Sequence, residues 1–226
     1  MLVGMTFGLL LVVTIGIASA DDTPTSYPAS PDVELVPAVV VAAGTDSIDL
    51  NAVARMTTYG RLVHRGTAFQ LDDGRIGTVA HALIDARRAI VGSNDSAIRL
   101  PLGADGDDEH VATSRLHDLS AVSGRPLDSS LSVADQPAVV GQHVALAGVP
   151  GDGRIQVLTG TVIARTSGVD YGVGRPDVYV IAAAVDQGWS GGPVVDSNGD
   201  VVAVIVGVEQ RSGVTLAVPI EYLPTP

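Results

Sequence analysis

Short apolar segments, each closed off by glycine, proline or aspartate, recur along this 226-residue chain from about Thr57 onward. A first series runs through Arg61-Leu-Val-His, Gly66-Thr-Ala-Phe-Gln-Leu, Arg75-Ile-Gly-Thr-Val-Ala, Ala89-Ile-Val, Ala97-Ile-Arg-Leu, His110-Val-Ala-Thr and Leu119-Ser-Ala-Val. A second runs from Ala138 through His143-Val-Ala-Leu-Ala, Ile155 to Ala164, Val178-Tyr-Val-Ile-Ala, Pro193-Val-Val-Asp and Val201 to Val208, ending at Val214 to Val218. Segments of this length, rich in β-branched residues and separated by turn formers, are strands rather than helices. Asp72-Asp73-Gly74 between two of them is a hairpin signal. Helical periodicity is weak everywhere except His81 to Arg88 and Ile220 to Leu223. The chain therefore reads as all-β, and two barrels fit the strand count. Their expected bounds are 55–124 and 138–226, with a polar, turn-rich linker at 125–137.

The segments before residue 55 do other work. Met1 to Ala20 carries no charged side chain, has an apolar run from Phe7 to Ile17, and closes on Ala18-Ser19-Ala20, a small-x-small pattern. It reads as a signal peptide or, uncleaved, as an N-terminal membrane anchor. Either way the rest of the chain is expected outside the cytoplasm, in the envelope or secreted. Residues 21–54 form a lead whose Thr23 to Pro31 stretch is Pro/Ser/Thr-rich linker.

Charge and cysteine remove several classes. The net charge is −12, all thirteen basic residues are arginine, and no basic run exists. A duplex nucleic acid partner is therefore not expected, because its groove demands clustered cations. With no cysteine, neither a disulfide scaffold nor a thiolate metal site is available. The acidic loop Asp105-Gly-Asp-Asp-Glu-His has the oxygen ligands of a calcium site but no recognised loop pattern, and reads as a solvated turn.

Three polar residues stand where strands end. His81 follows Gly77-Thr-Val-Ala, Asp118 opens Leu119-Ser-Ala-Val, and Ser190 lies in Asp186-Gln-Gly-Trp-Ser-Gly-Gly-Pro. Glycines at 188, 191 and 192 allow a sharp turn that projects the hydroxyl and can aim main-chain N–H groups at one point. A serine hydroxyl is a poor nucleophile unless a base lies within hydrogen-bond reach and a third group fixes the base. His81 and Asp118 are the residue types required. An esterase elbow also matches Gly188-x-Ser-x-Gly192, but α/β-hydrolases place their histidine after the serine. All five histidines here precede Ser190.

Gly66-Thr-Ala-Phe with Thr78-Val-Ala-His81, Asp118-Leu-Ser-Ala-Val, and Gly188-Trp-Ser-Gly-Gly-Pro resemble the three signature blocks of the chymotrypsin-like serine proteases. The His–Asp and Asp–Ser spacings, and the stretches after Leu146 and Asp177, are similar to Deg-type and actinobacterial periplasmic members. The resemblance implies two six-stranded antiparallel β-barrels with the active site in the cleft between them. It implies an endopeptidase in which Ser190 attacks the peptide carbonyl, His81 is the base, Asp118 orients it, and the N–H groups of Gly188 and Ser190 form the oxyanion hole. Its substrates are proteins or peptides, and no metal or organic cofactor is needed. The same alignment puts Ala184 at the floor of the primary specificity pocket with Val206 and Gly207 on its wall, an apolar site suited to aliphatic side chains. With seven residues after Pro219, no trailing peptide-binding domain of the kind Deg-type relatives often carry is expected.

Two departures stand out. Trp189 sits where this block usually has Asp or Asn, which removes the family's N-terminus-dependent switch. Ile205 falls where a polar residue often supports the triad carboxylate. They motivate an alternative, a catalytically inactive protease-like fold serving as a secreted binding or scaffold module.

Overall fold

The computed structural model describes residues 48–92, 98–101, 110–123 and 127–226. The leader, the Pro/Ser/Thr linker and nearly all of the acidic 105–110 loop lie outside them. Strand is the dominant element, as the segment pattern requires. The first unit comprises β1 (Val53–Tyr59), β2 (Val63–Gln70), β3 (Arg75–Val79), β4 (Arg88–Val91), β5 (Ile98–Pro101), β6 (Val111–Ser114) and β7 (Leu119–Ser123). The second comprises β8 (His143–Gly148), β9 (Gln156–Thr166), β10 (Val178–Ile181), β11 (Pro193–Val195), β12 (Val201–Glu209) and β13 (Val214–Pro219).

The second unit is the expected closed six-stranded barrel, in the order β10-β13-β12-β11-β8-β9. The first differs in detail: it is a seven-stranded sheet in the order β5-β4-β1-β2-β3-β7-β6, curled into a half-barrel. All of its pairings are antiparallel. Neither helical expectation matures. Ala80–Ala82 and Ile220–Tyr222 are single 3₁₀ turns, too short for a periodic apolar face.

Many strands are buried on both faces, β10, β11 and β13 at every position. A continuous apolar core joins Met56, Phe69, Leu71 and Leu119 of the first unit to Val195, Val204, Leu216 and Val218 of the second. A second cluster, with Leu146, Tyr179, Ile181, Trp189 and Ile205, fills the closed barrel. The expected linker is stitched to both units, by parallel bridges pairing Leu71 with Leu131 and Val133 with Val201.

A polar cluster closes one side. Asp177 accepts hydrogen bonds from Arg165 (Nη2 at 2.6 Å) and from the Tyr222 hydroxyl at 3.0 Å, while Arg165 also reaches Glu221 at 2.8 Å. The His117 ring of the first unit stacks on Tyr222 with centroids 3.9 Å apart. The Arg165 hydrogen bonds lead in holding the Asp177 carboxyl below the usual carboxylate range. A lowered folded-state value makes this contribution full above the ordinary carboxylate range and lost as pH falls through the folded value. Asp177→Ala is therefore expected to cost about 1–2 kcal/mol at neutral pH, discounted for partial exposure, and less in acid. Urea midpoints at pH 7 and pH 3 read this difference.

Candidate active site

The register of β3 against β7 brings His81 and Asp118 together. Val79 pairs with Leu119, so the residues just past the end of β3 meet the residue just before β7. The Ala80 N–H donates to the Asp118 carbonyl at 2.9 Å. The carboxylate then takes His81 twice: its Oδ1 accepts the main-chain N–H at 2.8 Å, and its Oδ2 lies 2.7 Å from Nδ1 of the ring. That contact makes Nδ1 the protonated nitrogen and leaves Nε2 free to accept a proton. Asp118 adopts a left-handed backbone with φ +61°, which aspartate and asparagine tolerate better than other non-glycine residues. Its side chain is 5% exposed and that of His81 41%, the pattern of a buried orienting group and an accessible base. Burial by itself would raise the Asp118 carboxyl. The His81 hydrogen bonds and the charges of His81 and Arg175 outweigh that and hold it below the usual range.

Ser190 lies in the connection from β10 to β11, which is fastened to both units through its main chain. The Thr67 N–H donates to the Ser190 carbonyl at 2.9 Å, and the Thr67 hydroxyl donates to the Gly188 carbonyl at 2.7 Å while accepting from the Val149 N–H. Gly191 N–H donates to the Ile205 carbonyl, and Ile205 N–H returns a bond to Gly192. A Cβ at Gly191, where φ is +88°, would stand 2.1 Å from the Thr67 carbonyl and 2.6 Å from the Thr78 hydroxyl. Only glycine fits there, and the fit sets the serine loop against the end of β3, three residues before His81.

The main-chain N–H groups of Gly188 and Ser190 have no acceptor among the described residues. Two free donors flanking a serine hydroxyl are what an oxyanion hole requires. Nor does a hydrogen bond join the Ser190 hydroxyl to the His81 ring among the described residues; in unliganded active sites that bond is commonly long and tightens with substrate bound.

Trp189 resolves one departure. Its side chain is 2% exposed and packs inward among the closed-barrel cluster, directly over Gly148, where any Cβ would meet the indole at 2.4 Å. The indole supports the serine loop from beneath instead of crowding it.

A cleft of about 720 Å³ opens beside the loop, lined by Pro150, Ala184, Gln187, Val208 and Gln210 among others. Ala184 is one of its lining residues. Val206 and Gly207 are not among the lining residues. Val206 alternates with Val204 into the shared core, and Val208, beyond a register shift between Ile205 and Gly207, lies on the cleft wall.

Sequence reasoning passed over two residues. Thr67 lay inside a quoted motif, yet its hydroxyl bridge to the serine loop spans 121 residues of sequence and leaves no local mark. Arg175 places Nη2 2.9 Å from Asp118 Oδ2, and nothing in its surroundings resembles a catalytic block.

Residues 66–204 match the model of the trypsin-like peptidase domain. The chain belongs to the trypsin-like peptidase family. It is 33% identical over 191 residues to serine protease Rv3671c of Mycobacterium tuberculosis, covering 82% of this chain and 46% of that protein. It is 30% identical over 158 residues to the mitochondrial serine protease HTRA2 of Bos taurus, covering 67% of this chain and 32% of that protein. The chain thus spans less than half the length of these curated relatives. Among solved structures it is similar to the active form of the Rv3671c protease from M. tuberculosis, with a TM-score of 0.65 and 27% identity over 91% of this chain and 90% of that one.

Proposed function

We propose that this peptidase-family chain is an exported serine endopeptidase acting through Ser190, His81 and Asp118. The observation that carries the proposal is the double grip of Asp118 on His81, at main chain and ring, which fixes the imidazole with Nε2 free. The Ser190 Oγ attacks the substrate carbonyl as Nε2 takes its proton, and the N–H groups of Gly188 and Ser190 receive the developing oxyanion. The imidazolium then protonates the leaving amine, and water, activated by the same base, releases the acyl group. These steps use no metal or organic cofactor. The Ala184 and Val208 walls favour aliphatic side chains before the scissile bond, in protein or peptide substrates. The apolar leader of residues 1–20 supports export, with membrane anchoring where it stays attached.

A fluorophosphonate probe, which bonds covalently to an activated serine, tests the proposal. The folded chain is expected to label, and Ser190→Ala is expected not to. A folded chain that stays unlabelled, or equal labelling of the two, rejects the proposal in favour of an inactive binding or scaffold module.

A further inference from the structure

We infer that Arg175 is a positioning residue of the His81–Asp118 pair, a fixed cation delivered by the second unit to the carboxylate that orients the base. The inference rests on the protease reading above and names a residue that reading does not need.

Three observations converge on it. Arg175 Nη2 lies 2.9 Å from Asp118 Oδ2, the same oxygen that takes His81 Nδ1 at 2.7 Å. Ile205, aligned where the family often offers a polar partner to this carboxylate, is fully buried in apolar surroundings and has no side-chain donor. The Arg175 guanidinium therefore supplies the support that Ile205 lacks. Its Nε is buried without an acceptor, a cost retained at a site where the rest of the side chain is held by a specific partner.

The backbone aims the side chain. Pro176 restricts Arg175 to an extended conformation. The Gly168 N–H donates to the Arg175 carbonyl at 2.8 Å, and Gly172 and Gly174 take positive φ to bring the chain around. Two residues on, Asp177 is fastened by Arg165 and Tyr222. The segment carrying Arg175 is thus anchored on both sides of it.

A guanidinium differs from a hydroxyl in carrying permanent charge. Sharing Oδ2, it draws on the same lone pairs and potential that stabilise a positive imidazolium, so the pair is held rigidly while its grip on an added proton is weakened. Among the described residues near Asp118 and Arg175 in sequence, His117 is turned away to stack on Tyr222 and Asp177 is paired with Arg165, while Arg175 faces Asp118. Arg175 is the group among them in direct contact with the carboxylate. With it present, the acid limb of the reaction profile lies lower than it would with a neutral partner.

The test measures the second-order rate of fluorophosphonate labelling from pH 4 to pH 9 for the full chain, Arg175→Lys and Arg175→Gln, with thermal melting alongside. Arg175→Gln is expected to move the acid limb up by about one pH unit and to lower the plateau. Arg175→Lys, which keeps the charge, is expected to hold the limb near its original position. A folded Arg175→Gln with an unmoved limb overturns the proposal, even if it melts earlier, because a structural role alone would shift melting and not the limb. If Arg175→Gln does not fold, an Arg175→Lys limb displaced as far as one pH unit overturns it. Wild type labelling normally while the limb stays fixed leaves the protease reading intact, whereas a folded wild type that never labels rejects both.

Discussion

Asp118→Asn is expected to lower turnover by about 10⁴-fold while leaving the fold in place. The two halves of that expectation come from different features of the same residue. Asparagine is the other non-glycine residue at ease with φ +61°, so the backbone between the end of β3 and the start of β7 keeps its course. Its side-chain oxygen can still accept from one donor. Its amide nitrogen, however, brings N–H groups to a site where His81 Nδ1–H, the His81 main-chain N–H and Arg175 all donate. The imidazole then protonates on the wrong nitrogen, and Nε2 no longer faces the serine as an acceptor. Circular dichroism and melting should stay close to wild type as peptide hydrolysis and fluorophosphonate labelling collapse together. Unchanged turnover would remove Asp118 from its role.

Trp189→Ala is the second large effect, and it falls on stability. The indole is among the largest fully buried side chains, and Gly148 lies flat against it. Truncation removes its apolar burial and leaves a cavity that the closed barrel cannot collapse around, a loss of about 3–5 kcal/mol. For a chain of this size that corresponds to a fall in Tm of roughly 10 °C or more. Because Trp189 lies between Gly188 and Ser190, the proposed oxyanion donors, labelling at 25 °C should fall even where the variant remains folded. Trp189→Phe should recover most of the stability, and a Trp189→Ala protein melting within a degree or two of wild type would contradict the packing argument.

The strand pattern made the all-β architecture legible, because short β-branched runs and the turn residues that close them are local signals, and β3, β7 and β12 each carry them. The candidate triad was legible for the same reason: His81, Asp118 and Ser190 each terminate a segment whose flanking residues are informative. What escaped was set by register and by long-range contact. β1 is not among the segments read from the sequence, the Arg61 and Gly66 segments are one strand, β2, and the course of β12 depends on its pairing partners. Val206, expected on the pocket wall, packs in the core beside Val204. Arg175 escaped because its partner is 57 residues away across the boundary between units, and neither residue's neighbours hint at the other. Thr67 escaped because its side chain acts on main-chain atoms, whose needs no side-chain motif records.

The apolar core that joins Phe69 and Leu119 to Val204 and Leu216 gives the two units a common fate. The closed barrel also has a cluster of its own, but opening either half strips apolar surface from the core they share, so denaturation should be a single cooperative event. In the proposed triad the serine comes from one half and its base from the other. Cutting the chain between them would therefore separate the proposed reacting groups and also divide the core that the two halves share.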